Sequence, residues 1–119
     1  MSLFEMFVIA HLIGDYLLQT ETEAMQKAES SFFNWPLWRH VVKYTASCAI
    51  PIWYFSVSPL WLILIFASHL MFDRRWPIIW WRKHMNRNSE ESIAKTFWLT
   101  IVTDQIFHLL VLALIAALN

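Results

Sequence analysis

The stretch FWLTIVTDQIFHLLVLALIAAL, residues 97–118, decides the fold class of this chain. It is the one apolar run that reaches the ~20 residues needed to cross the hydrocarbon core of a bilayer as a helix. It also carries Asp104 and His108 within its apolar sequence. Ionisable side chains inside a membrane helix are costly to bury and usually serve a function. The stretch therefore predicts a transmembrane helix that contributes to a functional site.

Three shorter apolar stretches accompany this one, at residues 3–18, 41–55 and 60–72. Hydrophobic residues make up 58% of the 119 residues and there is one glycine, which favours helices over strands joined by tight glycine turns. The shorter stretches must thin the bilayer or extend through amphipathic flanks to cross it. We predict an all-α fold, an integral membrane four-helix bundle in a single domain, residues 1–119. Its spans are expected at about residues 3–19, 40–56, 60–74 and 96–118.

The nine lysines and arginines lie in or beside two loops of this fold. They are Lys27, Arg39 and Lys43 around the first loop, and Arg74, Arg75, Arg82, Lys83, Arg87 and Lys95 around the second. A hairpin turn at residues 56–59, favoured because Pro59 disfavours helical geometry at Ser58, places both loops on one side. A single long helix instead puts them on opposite sides, against the positive-inside rule. We expect a multi-pass protein of the inner membrane, with cytoplasmic basic loops and both termini outside the cytoplasm.

The second loop contains a short aromatic and basic segment, WPIIWWRKH, residues 76–84. It is expected to lie at the membrane interface between the third and fourth spans, with His84 as a solvated surface residue. Cys48, the single cysteine, is interpreted as a packing residue of an apolar run. The N-terminus lacks the basic region of a cleavable signal peptide, so the first apolar stretch is expected to remain as a span. The net charge is zero and indicates no nucleic-acid partner.

Histidines and aspartates recur at a spacing of four residues within the predicted spans. The set comprises His11, Asp15, His40, His69, Asp73, Asp104 and His108. A step of four residues turns only ~40° around a helix, so each pair lies on one face. All seven fall toward the cytoplasmic ends or the middle of their spans. A bundle that turns these faces inward brings the seven side chains together.

This combination of imidazole and carboxylate groups favours a divalent transition metal, Zn²⁺, Mn²⁺ or Fe²⁺. Seven ligands are too many for one tetrahedral zinc. They suit two metals bridged by a carboxylate, or one metal with a second shell and a general base. Gln19, Lys43 and Tyr44 are the candidates to stabilise an oxyanion or protonate a leaving group. The simpler interpretation is that each histidine–aspartate pair only neutralises itself.

The order of these motifs resembles a known family. His11-x-x-x-Asp15-x-x-x-Gln19, then Lys27, His40, His69-x-x-x-Asp73 and Asp104-Gln105-x-x-His108, is similar to the pattern of small bacterial and phage membrane proteins. That family is catalogued only as a domain of unknown function. The resemblance implies a four-helix membrane fold with a shared polar site at the positions just named.

Three functions remain open at this point. The favoured hypothesis is a metal-dependent membrane hydrolase, open to the cytoplasmic leaflet, acting on a lipid or lipid-linked substrate such as a phosphate ester. Its basic, tryptophan-rich rim is expected to attract an anionic headgroup. The first alternative is an ion or metal transporter that uses the same residues. The second is a non-catalytic membrane effector or interaction protein. A homo-oligomer is compatible with all three.

Overall fold

The computed structural model describes residues 1–20 and 35–119, and these residues form helices and turns without a strand. The helices are α1 (Leu3–Leu12), α2 (Trp35–Tyr54), α3 (Trp61–Phe72), α4 (Trp76–His84), α5 (Glu90–Lys95) and α6 (Phe97–Ala117). A π-helical turn, Ile13–Leu17, continues α1. Ser2 and Ser89 cap α1 and α5, each accepting a backbone N–H bond in the first turn. The all-α prediction is confirmed. Lys27 lies outside the described residues.

Four helices form a closed ring. Helix α1 packs against α2 and α6, and α3 packs against the same two helices. The polar residues near the C-terminal ends of α1 and α3 contact those in the N-terminal halves of α2 and α6. Neighbouring helices therefore run in opposite directions, which is the arrangement of an antiparallel four-helix bundle.

The connection between α2 and α3 is the hairpin turn that the sequence predicts. Helix α2 ends at Tyr54 and α3 begins at Trp61. Between them, Ser56 adopts a left-handed backbone with φ 55°. Pro51 lies inside α2 and does not end it. The turn places the two basic regions at the same end of the bundle.

The interior of the bundle has an apolar half and a polar half. The apolar half is a cluster of buried residues near the hairpin: Phe7, Ala10, Tyr44, Cys48, Ile52, Ile65, Leu112 and Ile115. The polar half holds the histidines and aspartates, at the end where the basic residues lie. Cys48 is buried within the apolar cluster, in agreement with a packing role.

Helix lengths bear on the expected spans. Among the described helices, α6 alone is long and apolar enough to cross a bilayer by itself. Helix α3 is apolar but has 12 residues. Helix α2 has 20 residues, with Arg39, His40 and Lys43 in its N-terminal half. By length and composition one described helix is thus able to cross a bilayer alone, and the four expected spans stay a prediction.

Helices α4 and α5 close the polar end of the bundle. Helix α4, the expected interfacial segment, packs on α3 and α6. Its Arg82 is 2% exposed and donates hydrogen bonds to Asn88, to the carbonyl and hydroxyl of Thr96, and to the Thr100 hydroxyl, at 2.9–3.2 Å. A buried guanidinium needs such acceptors because an unsatisfied buried donor costs free energy. Arg82 therefore fixes α4 to the start of α6.

Replacing Arg82 by alanine is expected to lower the free energy of unfolding by about 2–3 kcal/mol, because it removes several charge-assisted hydrogen bonds. The neighbouring Lys83 is exposed and pairs with exposed Glu90 at 3.2 Å, so Lys83→Ala serves as the control. Its effect should stay below ~1 kcal/mol. Thermal or denaturant unfolding in detergent measures both. Equal losses in the two variants would contradict the assigned role of Arg82.

The single glycine, Gly14, lies in the π-helical turn and packs closely against α2. A Cβ atom at Gly14 would lie 3.0 Å from both Cα and Cδ2 of Tyr44. The Tyr44 ring cannot move aside freely, since it is buried and stacks on His69 with ring centroids 3.8 Å apart. Gly14 therefore sets the distance between this turn and α2 next to Asp15.

Gly14→Val is expected to force α1 away from α2, with a loss of about 1–3 kcal/mol from overpacking. Ala46→Val, at an exposed position of α2, is the control and should change stability by less than ~0.5 kcal/mol. Unfolding measurements on both variants test the contact. Full stability of Gly14→Val would show that the two helices separate at little cost.

Candidate metal centre

The structure brings the seven histidines and aspartates named above into one buried cluster. Each of them is at most 7% exposed. His11 lies in α1 and Asp15 in the π-helical turn, while His40 lies in the first half of α2. His69 and Asp73 lie at the C-terminal end of α3, and Asp104 and His108 in α6. Which of them bind a metal stays a prediction, but their geometry separates them into distinct roles.

Four of the seven present donor atoms to a common centre. His40 Nε2 lies 3.0 Å from Asp15 Oδ1, from His69 Nε2 and from Asp73 Oδ2. His69 Nε2 lies 2.9 Å from Asp73 Oδ2 and 3.6 Å from Asp15 Oδ1. Four ligands at the ~2.0–2.2 Å typical of zinc form a tetrahedron with edges of about 3.3–3.6 Å. These distances are close to that size, so the four residues could hold a metal ion.

Hydrogen bonding alone accounts poorly for this centre. An imidazole nitrogen carries either one proton or one lone pair. A proton on His40 Nε2 can be donated to one neighbour, yet two carboxylate oxygens and a third atom, the ring nitrogen His69 Nε2, all lie 3.0 Å from it. A cation among the four donors interacts with all of them at once. It also offsets the charge of two buried carboxylates, Asp15 and Asp73, which are otherwise costly to bury close together.

Asp73, Asp104 and His108 form a second group that shares Asp73 with the first. His108 Nε2 lies 3.2 Å from Asp73 Oδ1 and 3.2 Å from Asp104 Oδ1. Asp73 thus faces the first group through Oδ2 and His108 through Oδ1. This is the arrangement that a bridging carboxylate or a metal ligand with a second-shell partner requires.

The contact between His69 and His108 distinguishes these two cases. Their Nδ1 atoms are 3.2 Å apart, so one must donate a proton to the other. If His69 Nε2 binds a metal, its Nδ1 carries the proton and donates to His108. The Nε2 of a neutral His108 is then protonated, donates to Asp73 Oδ1, and has no lone pair for a second metal. If the four donors hold a metal, His108 is thus a hydrogen-bond partner of two of its ligands rather than a ligand of a second metal.

His11 lies beside the four donors rather than among them. Its Nε2 is 2.6 Å from Gln105 Oε1, and its Nδ1 is 2.7 Å from the Tyr44 hydroxyl. Because an amide oxygen only accepts, His11 donates from Nε2 and accepts from Tyr44. Both nitrogens are then engaged, and Asp15 is 4.0 Å away. His11 belongs to neither group of candidate metal ligands.

The three residues expected to assist catalysis occupy different surroundings. The ring of Tyr44 stacks on His69, while its hydroxyl is hydrogen-bonded to His11, which is not one of the four donors. Lys43 donates to the Leu18 carbonyl at 2.6 Å, at the end of the π-helical turn. Gln19 lines a cavity next to Asp15. His84 is exposed, as expected, and contacts the Trp80 carbonyl.

The family resemblance includes Gln105 in the polar motif, but sequence reasoning assigned it no individual role. Its side-chain amide donates to Asp15 Oδ2 at 2.8 Å and to Asp104 Oδ2 at 3.3 Å, while its oxygen accepts from His11. One residue thus connects both donor groups with His11. The available signal was a primary amide inside an apolar run, directly after Asp104.

A cavity of about 280 Å³ opens beside the donors. Its lining residues come from the π-helical turn, the α3–α4 junction and α6: Asp15, Tyr16, Gln19, Arg75, Ile101, Asp104 and Gln105. Asp15 and Asp104 therefore link the buried cluster to a space large enough for a small molecule. Arg75 is a lining residue that sequence reasoning did not assign to the site.

Comparison with known proteins supports one part of the resemblance noted from the sequence motifs, the membership of an uncharacterised family. Residues 3–119 match the family model described as "Protein of unknown function (DUF3307)". The chain matches no curated protein and no solved structure. The match covers nearly the whole chain and includes every residue of the buried cluster. The chain therefore belongs to the DUF3307 family, whose function is unknown.

Proposed function

We propose that this protein is a metal-dependent membrane hydrolase that acts on a lipid or lipid-linked substrate. The observation that carries the proposal is the convergence of four buried donors, Asp15, His40, His69 and Asp73, at 2.9–3.6 Å separations beside an open cavity. A structural metal site needs no access from outside. A catalytic site needs access for substrate and water, and the cavity beside these donors provides it.

The bound metal would supply a hydroxide at neutral pH by lowering the pKa of a coordinated water. Water needs a coordination position besides the protein donors. Asp15 is the one of the four donors that lines the cavity. Its Oδ1 lies 3.6 Å from His69 Nε2, whereas Asp73 Oδ2 lies 2.9 Å from the same nitrogen. Gln105, which also lines the cavity, orients Asp15 through its amide. With a metal on His69 Nε2, His108 would accept a hydrogen bond from His69 Nδ1 and donate one to Asp73 Oδ1, which would keep both metal ligands in position.

The distribution of apolar side chains supports a membrane location. Helix α6 is the longest apolar helix, yet only 28% of its most apolar window is buried. A core helix of a soluble protein is mostly buried. The outer face of α6 instead carries Ile106, Leu110 and Leu114, each more than half exposed. The interior is polar at one end while the surface is apolar, as expected for a bundle surrounded by lipid.

Short helices are compatible with several crossings if the flanking segments contribute. Helix α3 exposes Leu60, Ile63 and Leu64 at its N-terminal end, where no charged residue occurs. At its other end, exposed Trp76 and Trp80 of α4 resemble the aromatic belt of a membrane interface. A bundle that thins the bilayer around it would cross with all four helices. The proposal is thus a multi-pass protein with its site at the cytoplasmic leaflet.

Transport is the weaker candidate. A transport path needs polar groups through the full depth of the membrane. The half of the bundle near the α2–α3 turn is filled by an apolar cluster that includes Phe7, Ile65 and Leu112. This filled half favours a site that is open to one side.

Wild-type protein purified without chelator is expected to carry one equivalent of a transition metal, measured by elemental analysis. Asp73→Asn should lose most of it, because Asp73 is a donor of the four-residue centre. Asp104→Asn is the matched control, since Asp104 contacts His108 but belongs only to the second group. It should retain more than about half of the metal. Less than a tenth of an equivalent in wild type would overturn the metal site, and two equivalents would overturn the single-metal assignment.

Hydrolysis is tested by incubating total lipid extract of the expression host with metal-loaded wild type and with Asp73→Asn. Mass spectrometry should find a lipid that decreases as two fragments appear, with a combined mass equal to lipid plus water. Asp73→Asn should form these fragments at least a hundredfold more slowly, since a lost metal ligand removes the nucleophile. A metal-loaded wild type that leaves every lipid intact would contradict the hydrolase.

The topology is tested with single cysteines placed in a Cys48→Ser background. Ser58→Cys, in the α2–α3 turn, should react with a membrane-impermeant maleimide added outside cells. Asn86→Cys, after α4, should react only after permeabilisation. Both positions are exposed, and the wild-type protein, whose one cysteine is the buried Cys48, is the control. The reverse labelling pattern would overturn the orientation, and release of the protein from membranes by alkaline washing would overturn the membrane location.

A further inference from the structure

The cavity beside the donors combines acidic and basic groups. Asp15 and Asp104 border its inner side, and Arg75 lines it from the α3–α4 junction. An anion that enters meets repulsion from the two carboxylates. It can bind only where a cation compensates for them. Arg75 is the cationic residue among the described residues that line this cavity.

The backbone and side chain of Arg75 are both held in place. Its φ is 68°, a left-handed conformation that costs a non-glycine residue of order 1 kcal/mol. Its carbonyl accepts from Ile79 N–H at 2.9 Å and its N–H donates to Phe72 at 2.9 Å. Its guanidinium lies 5.1 Å from the centre of the Phe97 ring. The chain thus keeps a strained arginine at the cavity, two residues after Asp73, with its side chain oriented in advance.

The size of the cavity limits the ligand. Pockets for drug-sized molecules measure about 300–1,000 Å³, whereas this one has about 280 Å³. It therefore suits a headgroup rather than a whole lipid. Tyr16 and Ile101, which line it, are 53% and 42% exposed at the apolar surface of the bundle. Hydrocarbon chains attached to the headgroup can lie along that surface.

We infer that the cavity binds the phosphate group of an amphiphilic substrate and that Arg75 is its anion-binding residue. This inference rests on the proposed hydrolase and specifies its substrate class. Arginine suits the task because its guanidinium donates two parallel hydrogen bonds to a phosphate. The carboxylates next to it disfavour anions that cannot reach Arg75.

Two phosphonates test this inference, because their C–P bond is not hydrolysed during a binding measurement. Hexylphosphonate represents a lipid phosphate, and methylphosphonate represents a free phosphate without a chain. Calorimetry on metal-loaded wild type should detect hexylphosphonate binding, at least tenfold tighter than methylphosphonate. Arg75→Gln should weaken hexylphosphonate binding by tenfold to a hundredfold, and Arg75→Lys by less.

Arg87→Gln is the matched control. Arg87 is also an arginine with a left-handed backbone, φ 56°, but it lies after α4 and does not line the cavity. Its variant should bind hexylphosphonate within twofold of wild type. An equal loss in both variants, or no loss in Arg75→Gln, would overturn the role of Arg75. Equal affinity for the two phosphonates would overturn the amphiphilic substrate.

Metal analysis of the same samples separates this inference from the proposed function. Arg75→Gln should keep the wild-type metal content, since Arg75 is not among the donors. A metal-loaded protein that hydrolyses lipid but binds the phosphonate without Arg75 overturns only the inference. A protein that binds phosphonate through Arg75 but carries no metal overturns only the hydrolase.

Discussion

The burial of three carboxylates among four imidazoles is the constraint on which the rest of the structure depends. Asp15, Asp73 and Asp104 are each at most 7% exposed. Such groups are stable in a protein interior only when hydrogen bonds or cations compensate for the lost water. Each comes from a different element, so their compensation joins the π-helical turn, α3 and α6. The ring of helices and the close approach at Gly14 both serve to hold these elements together.

The same constraint explains why the sequence predicts so much of the site. A histidine and an aspartate four residues apart lie on one helix face, and the pairs His69–Asp73 and Asp104–His108 do contact each other, at 2.9 and 3.2 Å. Their occurrence in apolar runs requires that they face inward. The hairpin after Tyr54 follows equally from local sequence, since Pro59 disfavours continuation of the helix. The four-residue spacing and the cost of buried charge were sufficient to predict the pairs, and the local effect of Pro59 was sufficient to predict the hairpin.

What the sequence could not provide depends on geometry between helices. The spacing of His11 and Asp15 suggests a regular helical pair, but a π-helical turn begins at Ile13, where Leu18 N–H bonds to the Ile13 carbonyl at 2.9 Å. His11 therefore pairs with Tyr44 and Gln105, residues 33 and 94 positions away. No local pattern encodes such partners. Arg75 was missed for the same reason, because its place in the cavity depends on how the α3–α4 junction meets α6.

The irregular element also bears on how the proposed hydrolase could use a centre with four protein donors. His40 and His69 belong to regular helices, and the backbone N–H of Asp73 still bonds to His69 in the last turn of α3. Asp15 alone comes from a π-helical turn, which is a less stable hydrogen-bonding pattern found often at functional sites. It is also the donor that borders the cavity. Three donors are thus fixed by regular structure, while the fourth is held by Gln105 and can shift at lower cost. In the proposed hydrolase, a metal held by these donors would be reached from the cavity beside Asp15, the side from which substrate and water would arrive.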